Sequence, residues 1–152
     1  MSNDLSIKVV ASVVLPWKGG FVYVKTIKDG KYGLPGGKVD PFEDIEVAAP
    51  REVGEEIGSE IVLENYLGTW NFESDRGSSV INIIYSGKII EGTPRIIRPK
   101  EISEIIFPNL AKIRKIYQEG EIRSNLANVR PVERYLSGVK FPLNTIECLF
   151  ER

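Results

Sequence analysis

Apolar and polar positions alternate along this chain with two different periods, and the changes of period mark its elements. Ile7 to Leu15 is rich in β-branched residues and reads as a strand. After a turn at Lys18-Gly19-Gly20, Phe21 to Lys25 reads as a second. Asp29-Gly30 is a strong turn signal, and Lys31 to Leu34 returns as a short strand into Pro35-Gly36-Gly37. Two long strands are expected at Ile61 to Trp70 and Ser79 to Ile90, with a polar turn over 73–77 between them. Glu101 to Phe107 is a further short strand candidate.

The period lengthens over Asp44 to Ile57. Ile45, Ala49, Val53 and Ile57 form an i, i+4, i+8, i+12 stripe, which predicts a helix that docks on a sheet. Pro50 removes one hydrogen bond and predicts a kink near Glu46. Gly54 lowers helix propensity, and Gly58 suits a left-handed helix end. Leu110 to Tyr117 reads as a second helix, with Leu110, Ile113 and Tyr117 on one stripe. A last helix is expected over Val129 to Leu136, with Pro131 in its first turn and Gly138 closing it. Ile146, Cys148 and Phe150 alternate, but Leu149 breaks the pattern, so the tail reads as extended chain without an assigned strand. This order of elements predicts an α/β fold, a mixed sheet with helices on both sides.

Length and composition narrow the picture. At 152 residues and 42% hydrophobic, the chain can bury one good core, so residues 1–152 are read as a single domain. Lys+Arg at 20 against Asp+Glu at 21 provides no global field for bulk nucleic acid or an anionic membrane. Met1 to Lys8 lacks a basic segment followed by a signal-type apolar run, and Val9 to Pro16 is far too short to span a bilayer. Cys148, the one cysteine, cannot form an intrachain disulfide, which fits a reducing cytoplasm. It reads as a packed apolar residue rather than a nucleophile.

The chemistry concentrates in residues 37–58. Gly37, Glu43 and Arg51-Glu52-Val53-Gly54-Glu55-Glu56-Ile57-Gly58 form the pattern G-x5-E-x7-R-E-V-x-E-E-x-G. Glu52, Glu55 and Glu56 sit at i, i+3 and i+4, so a helix places them on one face, where they repel one another. Arg51 is their only close basic neighbour and is expected to pair best with Glu55 at i+4. Three carboxylates with so little neutralisation suggest a hard divalent cation such as Mg²⁺. With no His and one Cys, a His- or thiolate-based zinc site is excluded. The alternative is a solvated acidic helix face, and the spacing of Gly37, Glu43, Arg51 and Gly58 argues against it. Leu34-Pro35-Gly36-Gly37 makes a tight turn whose backbone can approach a metal or phosphate closely.

This stretch resembles the signature of the Nudix hydrolases, Mg²⁺-dependent enzymes that cleave pyrophosphate bonds in nucleoside diphosphates linked to another moiety. The resemblance implies an α/β/α sandwich carrying a loop-helix-loop motif. It implies Mg²⁺, with Mn²⁺ as substitute, on Glu52, Glu55, Glu56 and a carbonyl of Gly36 or Gly37. Glu55 and Glu56 would take part in catalysis, while Glu43 and Arg51 would brace the motif. A further acid far along the chain is expected as metal ligand or base, and Glu101 is preferred to Glu104. Ser59 stands where the family has an aliphatic residue, which weakens a packing contact.

Outside the motif the readings stay open. Lys25, where Nudix chains often carry Arg or Lys, is a phosphate contact or an ordinary strand-end lysine. Arg95, Arg98 and Lys100 steer a phosphorylated ligand or belong to a solvated loop. Trp70 and Phe72, on alternate positions, face one side and either stack a base or pack a core. Ser74, Asp75, Arg76 and Gly77 stand where ADP-ribose pyrophosphatases carry Pro and dinucleoside polyphosphate hydrolases carry Tyr, so neither substrate marker is present. The expected activity is cleavage of a nucleoside diphosphate derivative or a nucleoside triphosphate, in a cytoplasmic chain compatible with a homodimer. Two rivals are a non-catalytic nucleotide sensor and an isopentenyl diphosphate isomerase. The intact glutamate set argues against the first, and the lack of His and of an early Cys against the second.

Overall fold

A computed structural model describes residues 6–150. In chain order the strands are β1 (Ile7–Val14), β2 (Pro16–Trp17), β3 (Gly20–Phe21), β4 (Tyr23–Thr26), β5 (Tyr32–Gly33) and β6 (Gly36–Lys38). Helix α1 (Ile45–Ile57) follows, then β7 (Glu60–Glu73), β8 (Ser79–Glu91) and β9 (Ile102–Ile106). Helices α2 (Leu110–Gln118) and α3 (Arg130–Ser137) come last. Met1 to Leu5, part of the segment read for a leader, lie outside the described residues.

The β-branched run of β1 becomes the centre of a mixed four-stranded sheet, in the order β6-β1-β8-β7. It runs parallel to β8 from Ile7↔Ser79 to Val14↔Ser86 and antiparallel to β6. A strand with neighbours on both sides and cover on both faces must be apolar at successive positions, and Ala11, Val13 and Val14 are fully buried. Helix α1 covers one face, where Ala49, Val53 and Ile57 pack with Ala11, Val13 and Ile83. Burying a side chain such as Val53 or Ile57 stabilises the fold by about 1.5–3 kcal/mol. On the other face Ile113 and Ile116 of α2 and Val132 of α3 pack with Val14, Leu67 and Ile84. Helices thus cover both faces. A second sheet, β5-β4-β9, lies alongside, and β2 pairs with β3.

Three details depart from the pattern along the chain. The strand expected at Phe21 to Lys25 is split, because Val22 leaves the ladder to donate its N–H to Leu15 O at 2.9 Å. Helix α1 runs unbroken through Pro50 and ends on Gly58, left-handed at φ 66°, with its N–H on Gly54 O. Ser59 is buried and donates its Oγ–H to Gly92 O at 2.9 Å, so a hydrogen bond replaces the missing aliphatic contact. The tail docks through Phe141, which exchanges backbone bonds with Tyr66, and a short 3-10 turn over Leu143–Thr145.

Candidate active site

The acidic face of α1 is organised around Arg51. Its Nε donates to Glu43 Oε2 at 2.7 Å and its Nη2 to Glu43 Oε1 at 2.8 Å. Nη1 reaches Glu52 Oε1 at 3.0 Å and Glu55 Oε1 at 3.4 Å. The expectation that Glu55 is the best partner is therefore corrected. Glu43 approaches from the loop and meets the guanidinium fork with both oxygens, a geometry a one-turn helix neighbour does not reach. Arg51 holds the Glu43 carboxyl below its ordinary range. Glu43 also ties the loop to itself, accepting from Asp40 N–H at 3.1 Å.

Glu52 and Glu56 lie against the glycine turn. Glu56 Oε1 accepts the Gly36 N–H at 2.6 Å. A Cβ on Gly37 would fall 2.3 Å from Glu52 Oε2, so a side chain there would displace that carboxylate from its present place. A Cβ on Gly36 would meet Ala11 O at 2.2 Å, because β6 presses on β1 there. Burial pushes Glu56 up to about 8, and the charges of Glu52 and Glu101 add to the rise. The Gly36 amide and the Arg123 charge oppose it. Glu52 is also raised, by burial first, against the pull of Arg51.

Among the described residues no three acids converge closely enough, as the side chains stand, to hold a metal ion. The donor chemistry suits a hard cation all the same. Asp40, Glu43, Glu52 and Glu55 all lie within ion-pair reach of Arg51, and the half-buried Glu56 accepts a backbone amide. Glu52, Glu55 and Glu56, with a carbonyl of Gly36 or Gly37, are the residues that could hold it.

Arg98 brings the distal acid to this face. Its Nη1 lies 3.5 Å from Glu55 Oε2 and 3.6 Å from Glu101 Oε2. Arg95 donates to Gly58 O at 3.1 Å and so caps the end of α1. The basic cluster is thus more than a solvated loop. Glu104 turns elsewhere and accepts from Tyr32 Oη at 2.7 Å. Lys25 sits opposite Glu104 with its Nζ 5.2 Å from the centre of the Tyr32 ring, in the second sheet.

A cavity of about 280 Å³ is lined by Gly36, Gly37 and Lys38 of β6 and by Ser12, Phe72 and Asn82 from three other strands. Phe72 lies in it and Trp70 does not. Both side chains face one side as expected, but Trp70 packs on the core beneath α2 and α3 with the Arg134 guanidinium 4.6 Å from its ring. The stacking role proposed for Trp70 from the sequence is corrected accordingly, since that ring face is covered. Asn82 was missed. Its signal was one polar residue among apolar ones at alternate positions, Val80-Asn82-Ile84, and its buried Oδ1 has no protein partner. Arg123 lines the opposite rim and carried no sequence signal at all.

A mixed sheet between helices, with a glutamate-rich helix braced against a Gly-Gly strand, is the arrangement the resemblance of residues 37–58 implied. The chain belongs to the Nudix family, whose NUDIX domain model matches residues 7–129. It is similar to a Nudix hydrolase from Nitrosomonas europaea, at 23% identity and a TM-score of 0.82, over 93% of this chain and 97% of that one. The MutT protein of Methanosarcina mazei Go1 aligns at 26% identity and a TM-score of 0.71, over 90% and 98% of the two chains. Among curated relatives, a candidate 8-oxo-dGTP diphosphatase of Bacillus subtilis, YtkD, is 38% identical over 68 residues, or 45% of this chain and 43% of that protein. Nucleoside triphosphatase NudI of Klebsiella pneumoniae is 41% identical over 46 residues, or 30% and 32%. The matches thus span less than half the length of either relative.

Proposed function

We propose that this chain is a divalent-metal-dependent pyrophosphohydrolase acting on a nucleoside triphosphate or a nucleoside diphosphate derivative, with Mg²⁺ as its metal. One observation carries the reading: the same two glycines that abut Glu52 and Glu56 form the wall of the cavity. A phosphate chain entering that cavity meets the acids across a single strand. The names of the two curated relatives support a nucleotide as the substrate.

Bound at Glu52, Glu55 and Glu56, the cation supplies neutralisation of the pyrophosphate and acidification of a water. The chain's own groups do the rest. Glu43 and Arg51 keep the loop and α1 in register, and Phe72 offers a ring face to the base. Glu101, tethered by Arg98 beside Glu55, takes the proton from the attacking water. The water oxygen bonds to phosphorus as the bridging P–O bond breaks. The leaving phosphate keeps the electron pair, and the other product is a nucleoside monophosphate. We read residues 1–152 as one domain working in the cytoplasm; no helix among the described residues is long and apolar enough to cross a membrane.

The test is a panel of nucleotides incubated with Mg²⁺, with nucleoside monophosphate and phosphate products separated chromatographically. Release of a monophosphate from at least one nucleotide is expected. Tight binding without any product would replace this reading with a nucleotide sensor.

A further inference from the structure

Arg123 stands in the loop after α2, and that loop is stitched to β5. Tyr32 N–H donates to Glu121 O at 2.9 Å, and Arg123 N–H donates to Tyr32 O at 2.8 Å. The carbonyl of Arg123 is held in turn by Asn128 Nδ2 at 2.7 Å, while Asn128 Oδ1 accepts from Leu34 N–H at 2.9 Å. Asn128 is 6% exposed, so these bonds are well shielded from water. The backbone that carries Arg123 is therefore fixed on both sides.

From this anchor the side chain crosses directly over Gly33. A Cβ on Gly33 would lie 2.3 Å from Arg123 Nη2 and 2.8 Å from Nε. Gly33 is not among the glycines with positive φ, so its backbone accepts an ordinary residue. A side chain there would meet nothing nearer than the guanidinium and would push it aside. Beyond Gly33 the group lines the same cavity as Gly36 and Gly37. Among the described residues no carboxylate lies within ion-pair distance of it, although its charge is felt by Glu56. A half-buried guanidinium carries five donors and a permanent charge, and here no carboxylate meets its fork directly. Its planar fork matches the oxygens of a phosphate.

We propose that Arg123 grips the phosphate chain of the substrate from the wall facing β6, and that residue 33 is glycine so that Arg123 can reach it. The proposal rests on the reading of the cavity as a nucleotide site. It makes Arg123 a binding residue supplied by a loop remote from the Nudix motif, and Gly33 a positioning residue that acts only through it.

Calorimetric titration with Mg²⁺-tripolyphosphate, a probe without a base, tests both parts. Arg123→Ala should weaken binding by about 10- to 100-fold, the scale of a lost charge-assisted hydrogen bond. Gly33→Ala should weaken it by a comparable factor, since the new methyl group displaces the guanidinium. In the double variant the second change should add nothing, because both act on one contact. Arg123→Gln keeps the length of the side chain and serves if Arg123→Ala does not fold. Unchanged affinity in a folded Arg123 variant, or no tripolyphosphate binding by the wild type, overturns the role of Arg123. Fully additive losses in the double variant overturn the role of Gly33. The hydrolase reading fails separately. If no nucleotide is cleaved while Arg123 variants still lose tripolyphosphate affinity, the grip stands and the catalysis does not.

Discussion

The two walls of the cavity are built in opposite ways. On one side, Gly36 and Glu56 are twenty residues apart in sequence and joined by a hydrogen bond. One strand, one loop and one helix make that whole wall, with Arg51 as its internal brace. On the other side, Arg123 and Asn128 reach the cavity from beyond α2, and Leu34 lies 94 positions from the Asn128 oxygen it bonds. Behind the near wall, Glu52 and Glu56 abut Gly37 and Gly36 without lining the cavity themselves, and their charges repel, so that side is poised for a cation. The far wall presents a guanidinium with no carboxylate in ion-pair contact, poised for an anion. A polyphosphate with its metal is complementary to both sides.

The sharpest way to break this comparison is at Glu56. Glu56→Gln should lower turnover by at least about 10²-fold, while binding of tripolyphosphate without metal changes little. Wild-type-like turnover at limiting Mg²⁺ would remove the near wall from the chemistry. The same residue carries a pH signature. Its folded-state pKa, about 8, lies above the ordinary 4.5, so the folded protein binds its proton more tightly than the unfolded chain does. The stability that this proton contributes is present below about pH 4.5 and is lost as pH rises through about 8. Thermal melting in a chelator should show that fall in the wild type and a flatter profile in Glu56→Gln. A divalent cation must displace the proton, so metal affinity should climb over the same interval.

The distal acid comes next. Glu101→Gln should lower turnover by about 10²-fold and Glu104→Gln should be mild, since Glu104 is engaged with Tyr32. The reverse ranking, measured in steady state, would move the base to the second sheet. On the cavity floor, Phe72→Leu should raise the Michaelis constant by about 5- to 150-fold with turnover largely kept, because a stacked base loses its ring face. Trp70→Leu should cost stability and leave the kinetics of the folded fraction alone. Equal kinetic effects in the two would mean that the base reaches past Phe72. The smallest effect is expected at the brace, where Glu43→Gln should destabilise by about 1–3 kcal/mol in denaturant melts, since it weakens a charge-assisted pair. A stable variant with no activity would give Glu43 a direct part in the reaction.

Most of the near wall was legible in the chain itself. Helical spacing places Glu52, Glu55 and Glu56 on one face whatever packs beneath them, and the Ile45-Ala49-Val53-Ile57 stripe says which side is buried. Where strands and helices lie along the chain followed from periodicity for the same reason: each depends on neighbours within a few residues. Arg51 was legible as a partner but not whose, because bidentate pairing depends on where the loop before α1 turns Glu43. Trp70 and Phe72 were legible as sharing a face, but not as having different fates. Two positions along a strand separate a ring under Arg134 from one in a cavity, and only the placement of α3 decides that. Arg123 was not legible at all. Its meaning comes from the bonds between its loop and β5 and from the missing side chain at Gly33, and no local pattern encodes a contact between segments 90 positions apart. Short-range sterics and period belong to the sequence. Which charges meet across a cavity is settled by packing, because the chain closes that distance only when the core forms.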